Sequence, residues 1–294
     1  MGDSEAHPPL LERSLESGRI HSAYLLSGPG EAPRRAALRF VRGIVCQAGG
    51  ARPCDACDGC RRSQPRDEIE IDGTGKRGPL YRHVGDHADL LWTERGPDDT
   101  RVRIGQIRAL QHALRLRSGE GGRRAAVIAD AEWLNQESQN ALLRLLEEPP
   151  PDTSVVLVTA SSAGLLATVR SRCQRVAFRG EAQDVLSDPE HAETVARLEA
   201  IAAASLPDLL DWAEQFRGQR AVAAAGVEAL LASGSAFLRR RVCERAHAPD
   251  PALEALLSAH RDLSICRKTL VQRNANPQMV AERALLALQA GLGA

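Results

Sequence analysis

The chain has 294 residues, enough for two or three domains, and 43% of them are hydrophobic, enough for real cores; aromatics are only 3%, so those cores must rest on Leu, Val, Ile and Ala. Thirty-eight basic residues balance 38 acidic ones, which argues against a tight, independent nucleic-acid binder, because such proteins carry a basic excess. No apolar run approaches the roughly 18 residues of a membrane span, and the opening MGDSEAHPPLLERSLESG lacks the charged-then-apolar pattern of a secretory signal, so no membrane association and a cytoplasmic location are expected.

Residues 10–23 carry Leu11, Leu15 and the pair Ile20/Ala23 in a helical pattern. Tyr24-Leu-Leu-Ser27 reads as a short buried strand feeding the loop Gly28-Pro-Gly-Glu-Ala-Pro-Arg-Arg35. Residues 34–46 then read as a helix with Ala37, Leu38, Val41 and Val45 on one face. Four of the seven cysteines follow within residues 46–60. Residues 61–100, rich in Gly, Asp and Arg, read as an irregular excursion whose one strand-like piece is Ala88–Trp92; the stretch 66–86 suggests no role. Ile104–Arg117 is an amphipathic helix through Ile107, Leu110 and Leu114, stopped by Gly119-Glu-Gly-Gly122.

Residues 125–130, AAVIAD, form the next expected strand and end in Asp130. Asn135 is the expected N-cap of a helix over 136–147, which Pro149-Pro150-Pro151 ends. Residues 154–159 are a further buried strand, and another helix leads to Ser171-Arg172-Cys173, with sheet content ending near Phe178. Strands alternating with helices predict a parallel α/β sheet. From 182 onward the pattern is helical: a small segment over 182–216, then several helices over 217–290 punctuated by Gly234, Pro249, Pro251 and Pro277. The run Arg239-Arg240-Arg241 reads as a solvated helix face.

Four features carry chemistry. The first is the spacing Cys46-x7-Cys54-x2-Cys57-x2-Cys60. In a reducing compartment disulfides are disfavoured, and four thiolates suit a closed, tetrahedral structural zinc. An iron–sulfur cluster would normally add a downstream Cys followed by Pro, and none is present. Buried free thiols are the remaining alternative.

The second is the glycine loop. A working phosphate loop reads G-x-x-x-x-G-K-[ST]. After Gly28 and Gly30, Pro33 stands for the second conserved Gly, Arg34 for the Lys and Arg35 for the magnesium-holding hydroxyl. Arg34 and Arg35 can meet a phosphate by charge, but neither ligates magnesium, so no productive cofactor binding is expected. The third is Asp130-Ala131-Glu132, where a carboxylate that activates water would follow Asp130 directly but Ala131 stands instead. Glu132, one step on, would face the other way in an extended segment. The fourth is Arg172. An arginine at a helix end near a sheet edge can reach a neighbour's ATP and stabilise the γ-phosphate charge during transfer. Spacing alone leaves a plain surface arginine open, with Arg170 and Arg175 as competitors.

The stretch Asn135-Gln-Glu-Ser-Gln-Asn-Ala-Leu-Leu-Arg-Leu-Leu-Glu-Glu-Pro-Pro150, followed by Leu165-Leu-Ala-Thr-Val-Arg-Ser-Arg-Cys173, resembles bacterial clamp-loader subunits. The four-cysteine cluster, the broken phosphate loop and the intact Ser-Arg-Cys together resemble the delta-prime family of DNA polymerase III. The likeness covers most of residues 10–178 and returns weakly at Asn274-Ala-Asn-Pro277. It implies an AAA+ core with a parallel sheet over 1–178, a small helical lid over 179–216 and an all-α collar for oligomerisation over 217–294. It implies a five-subunit ring with gamma/tau and delta subunits that places the sliding clamp on primed template DNA. In that ring this kind of subunit hydrolyses no ATP, and its Ser-Arg-Cys arginine, here Arg172, acts in trans on ATP held by the neighbouring gamma/tau subunit. Where related ATPases keep a sensor arginine, this chain reads Ser205-Leu-Pro-Asp208. Two rival readings are an active clamp-loader ATPase of the gamma/tau type and a zinc-dependent DNA-binding protein.

Overall fold

Three largely apolar runs, AYLLS, RAAVI and TSVVLVT, leave no polar face for water, so both faces of each must be covered, as in a parallel sheet flanked by helices. They form β1 (Ala23–Ser27), β5 (Arg124–Ile128) and β6 (Thr153–Thr159). The computed structural model describes residues 8–65, 70–72, 79–96, 99–119, 122–178, 186, 192–245, 251–273 and 275–293. Among these, β2 (Glu70–Asp72), β3 (Pro79–Val84), β4 (His87–Thr93) and β7 (Gln174–Ala177) complete a seven-stranded sheet in the order β2-β3-β4-β5-β6-β1-β7. The five strands from β4 to β7 along that order are parallel. The chain divides into two units, Met1–Gly96 with Arg101–Phe178, and Pro97–Thr100 with Arg179–Ala294.

In the first unit, α1 (Pro9–Ser17) and α2 (Ala32–Ile44) cover the sheet around β1. The Tyr24 and Phe40 rings meet edge to face with centroids 4.8 Å apart. The buried Tyr24 hydroxyl is satisfied at both ends, donating to Ser14 Oγ at 3.2 Å and accepting from the His21 amide at 2.8 Å. α1 is shorter than its apolar pattern suggests. Gly18 takes a left-handed conformation, φ 67°, and ends the helix before Ile20.

The expected irregular excursion contains a short helix, α3 (Asp58–Arg62), and an antiparallel ribbon. β2, β3 and β4 extend the parallel sheet at one edge, with Arg82 opposite Trp92 and His83 opposite Leu91. A partly exposed strand needs no continuous apolar run, and β3 carries Arg82 and His83 half-buried. Their polarity hid β3, while β4 contains the strand-like piece expected at Ala88–Trp92.

α4 (Ile104–Arg115) ends in an internal device. Arg124, 7% exposed, donates to the carbonyls of Ala113 and Leu114 at 2.7 Å and of Leu116 at 2.5 Å. Its Nε lies 3.3 Å from Asp89 Oδ1, and Asp89 also accepts from Ser118 Oγ at 2.7 Å and the Gly119 amide at 3.0 Å. Removing one partner of a buried pair strands the other and frees three carbonyls. Arg124→Ala is expected to lower unfolding stability by about 3 kcal/mol, read as a shift of the urea midpoint at constant slope. An unchanged midpoint would refute this account of the network.

α5 (Gln136–Glu147) begins as expected, with Asn135 Oδ1 accepting from the Ser138 amide at 2.8 Å. α6 (Ala167–Arg170) is a single turn leading into β7.

In the second unit, α7 (Ala192–Ala200) and α8 (Leu206–Glu214) precede three longer helices, α9 (Arg220–Arg245), α10 (Pro251–Gln272) and α11 (Pro277–Leu292), which pack on one another. Gly234, a punctuation point in the sequence pattern, sits inside α9. A Cβ there would lie 3.1 Å from Leu288 Cδ1 and 3.3 Å from Leu263 Cδ1, so this glycine allows close helix approach. Among the other expected punctuation points, Pro249 lies outside the described residues. By length and composition α9 meets the requirement for a membrane span, with mean hydropathy 1.6 over its best 18 residues, against the expectation that no segment would. That window is 61% buried within the fold, as in the core helix of a bundle.

Candidate functional site

The glycine loop joins β1 to α2 at the end of the parallel strands. Gly28 sits between the end of β6 and the backbone after β7: its amide donates to the Thr159 carbonyl at 3.1 Å, and a Cβ would fall 2.6 Å from the Phe178 carbonyl oxygen. Gly30 turns the chain at φ 68°. α2 then carries Arg34 inward. Arg34 Nη2 bonds Asp130 Oδ1 at 2.8 Å, and Nη1 meets Glu94 Oε2 at 3.3 Å. Asp130 Oδ2 accepts from the Arg95 amide at 3.2 Å. Glu94 also accepts from Trp92 Nε1 at 2.9 Å and Arg82 Nε at 3.2 Å, while the Arg82 guanidinium lies 5.0 Å from the Trp92 ring centroid.

In the lysine position of a phosphate loop, this chain therefore places a guanidinium already engaged by two carboxylates. Partial burial works against the Arg34 charge, but attraction to Asp130 and Glu94 outweighs it and raises the Arg34 pKa. Both Asp130 oxygens have donors within the chain. Glu94 and Arg82 escaped sequence reasoning because they belong to the ribbon and its end, where no motif marks them. The expected extended path after Asp130 is also corrected. Ala131–Trp133 is a 3₁₀ turn, Asp130 itself is left-handed at φ 56°, and buried Glu132 accepts from the Ala160 amide at 3.2 Å. The Ser205-Leu-Pro-Asp208 segment forms a helix cap: Ser205 Oγ accepts from the Asp208 amide at 3.4 Å, and Asp208 Oδ2 accepts from the Ser205 amide at 2.8 Å. The Ser205 hydroxyl, which donates to Asp208 Oδ2 at 2.5 Å, and then the Ser205 amide lower the Asp208 pKa.

The four expected cysteines come together. Cys46 follows the end of α2, Cys54 and Cys57 lie on the loop, and Cys60 sits inside α3. All four sulfurs lie within 4.8 Å of one another, with Cys54–Cys60 at 3.9 Å and Cys46–Cys57 at 4.0 Å. A tetrahedral zinc with Zn–S of about 2.3 Å separates its sulfurs by about 3.8 Å, so the donor set fits that ion. Backbone amides already point at sulfur: Cys57 N at 3.3 Å from Cys54, and Gln47 N and Cys60 N each at 3.5 Å from Cys57. The donors from Cys57 and Ala56 pull the Cys54 thiol down to about 6, whereas burial pushes Cys60 up to about 12. Arg42 ties the module to α2 through Asp55 at 2.5 Å and the Cys60 carbonyl at 3.4 Å.

Arg172 follows α6. Val169 and Cys173 are buried on either side of it, and burial pushes the Cys173 thiol up to about 12, which leaves it an inert anchor. The Arg172 side chain is 37% exposed. Its Nη1 donates to the Thr168 carbonyl at 2.9 Å, and its Nη2 pairs with Glu147 Oε1 at 2.7 Å. Arg170 is half-buried and Arg175 exposed.

The chain is similar to known proteins. The family described as DNA polymerase III, delta subunit, matches residues 4–182. The delta-prime subunit of DNA polymerase III from Bacillus subtilis is 33% identical over 171 residues, covering 58% of this chain and 46% of that one. Its Escherichia coli counterpart is 30% identical over 168 residues, 56% and 44% of the two chains. The Escherichia coli tau subunit is 28% identical over 236 residues, 75% and 33%. The matched segments thus span from a third to just under half of these relatives' lengths. A gamma-subunit-related DNA polymerase III protein of Thermotoga maritima, known from a crystal structure, aligns over 95% of this chain and 98% of its own at 16% identity and a TM-score of 0.41.

Proposed function

This chain belongs to the DNA polymerase III delta-subunit family, and from that premise we propose that it is the clamp-loader subunit that hydrolyses no ATP itself and lends Arg172 to the ATP site of a neighbour. The observation that carries the proposal is the pairing of Arg34 with Asp130 and Glu94. A phosphate loop catalyses by leaving a lysine free for the phosphates and a carboxylate free for the magnesium shell. Here the cation and the carboxylate neutralise each other, and Arg35 offers no hydroxyl for the metal.

In this reading the chain works in the cytoplasm, in a five-subunit ring with gamma/tau and delta subunits. The helices over 179–216 form a small lid and those over 217–294 a collar through which the ring assembles. The complex opens the sliding clamp and places it on primed template DNA. Cys46, Cys54, Cys57 and Cys60 hold one structural zinc. When bound, the ion supplies a charge centre that fixes the loop to α2 and α3, with no position left for a reactant.

The purified chain alone is expected to show no ATP turnover above background. Arg34→Lys is expected to remain inactive, because Pro33, Arg35 and Ala131 still stand where a second glycine, a hydroxyl and a water-activating carboxylate are required. Turnover that follows the monomer through purification and disappears when Asp130 is changed to Asn would overturn the reading and favour an active ATPase. Co-purification with gamma/tau and delta subunits tests the assembly. A chain that binds DNA alone, with steep salt dependence, would favour the zinc-dependent DNA-binding alternative.

A further inference from the structure

Resting on the trans role of Arg172 given above, we propose that Glu147 is a positioning residue that presets the Arg172 guanidinium for its neighbour's ATP. Two elements converge on that side chain. Glu147 ends α5 and takes Nη2 at 2.7 Å; Thr168, in α6, takes Nη1 through its carbonyl at 2.9 Å. Two anchors on different elements fix the plane of a rigid fork, where a free arginine would sample many rotamers.

The donor count allows the fork to work while anchored. A guanidinium has five N–H groups. Among the described residues the Thr168 carbonyl accepts one of them and Glu147 meets Nη2 as an ion pair, which leaves Nε–H and at least one N–H on each terminal nitrogen for phosphate oxygens. Glu147 therefore does not compete for the whole group. Its place in the helix points the same way. A carboxylate on the last residue of a helix faces the negative end of the helix dipole, and Glu148 adds a second negative charge beside it. Local preference disfavours an acid there, and the charge of Arg172 offsets it. The pair is exposed, 37% and 48%, so it contributes little to folding. What it does contribute is orientation, and a prepaid orientation counts when charge builds on a transferring phosphoryl group.

The test uses the assembled complex with clamp and primed DNA, comparing Glu147→Ala, Glu147→Gln, Arg172→Ala and the Glu147→Ala/Arg172→Ala double variant. An exposed pair is worth up to about fivefold. A threefold slower step at the contacted site would cost about two-thirds of the ATPase rate that Arg172→Ala removes. That loss is expected in kcat with KM unchanged, because the contact acts in the transition state. Glu147→Gln keeps an acceptor oxygen but loses the charge of the pair, and is expected to fall between Glu147→Ala and the unaltered chain. In the Arg172→Ala background, Glu147→Ala should add nothing. Unchanged or faster turnover of Glu147→Ala, or an equal loss in both backgrounds, overturns the positioning role. If Arg172→Ala itself has no effect, the trans reading fails and this inference falls with it. If Arg172→Ala impairs turnover and Glu147→Ala does not, the positioning role alone falls. Melting curves of the four variants show whether a loss comes from misfolding, and the double-variant comparison separates positioning from a structural effect in either case.

Discussion

Protein purified without chelator is expected to carry about one zinc per chain, and stripping it should unfold the segment from Cys46 to Cys60 while the parallel sheet persists. The expectation follows from the size of the module. The loop between α2 and α3 has few buried apolar side chains besides the cysteines, so a bound ion would supply most of its local stability. Structural zinc is worth about 10–16 kcal/mol in small zinc-finger peptides at neutral pH, far more than the Arg42–Asp55 pair can replace. Ligation requires thiolates. Cys54 sits near 6 and is ionised at neutral pH, but Cys60, near 12, must give up its proton to the ion. Zinc binding therefore releases protons, and affinity should fall as pH falls. Cys57→Ser should lower metal content and raise hydrogen exchange in this loop, with little effect on exchange in β5 and β6. A metal-free protein, or a Cys57→Ser variant with full zinc and unchanged exchange, would remove the zinc centre from the account.

The parts of the fold legible in the sequence are those where burial is complete. β1, β5 and β6 are apolar on both faces, and α5 has both its start and stop written in residue type, at Asn135 and at Pro149. Where burial is partial, polar residues carry the structure through one another. Of the ribbon, β4 shows in the sequence at Ala88–Trp92, whereas β3 looks like a loop because Arg82 is accommodated by Glu94 and the Trp92 ring. The ending of α4 looks like a glycine stop but depends on Arg124, which sits 8 to 11 residues from the carbonyls it caps. Gly234 misleads in the opposite sense: its missing side chain makes room for Leu263 and Leu288 instead of ending the helix.

The candidate sites divide along the same line. The cysteine spacing is a local signal, and its ligands converge because two C-x-x-C steps need only one turn of chain each. The state of the phosphate loop is not local. The substitutions at Arg34 and Arg35 are visible in the sequence, but the fate of the Arg34 charge depends on Glu94 and Asp130, 60 and 96 residues away. Glu147 lies 25 positions before Arg172 in the sequence, and only the fold joins them.

Arg172→Ala should fold and assemble like the unaltered chain, yet remove most of the ATPase of the one neighbouring site that this chain contacts. Folding should be spared because the pairs that Arg172 makes are exposed, and such changes usually alter stability by about 0.5 kcal/mol or less. The effect on turnover should be large because a trans arginine stabilises charge that exists only in the transition state. Fingers of this kind contribute about 10³-fold or more. Other sites in a ring have fingers of their own, so the bulk rate should fall partially and clamp loading should fall with it. Arg172→Lys keeps the charge but not the planar fork, and is expected to recover little. Arg170→Ala and Arg175→Ala serve as neighbours in sequence that lack the Glu147 and Thr168 anchors described for Arg172. If Arg172→Ala left DNA-dependent ATPase and clamp loading unchanged while either neighbour impaired them, the arginine acting in trans would be that neighbour. If all three were silent, Ser171-Arg172-Cys173 would be a structural turn: Cys173 anchors it in the core, and Arg172 caps it against Glu147.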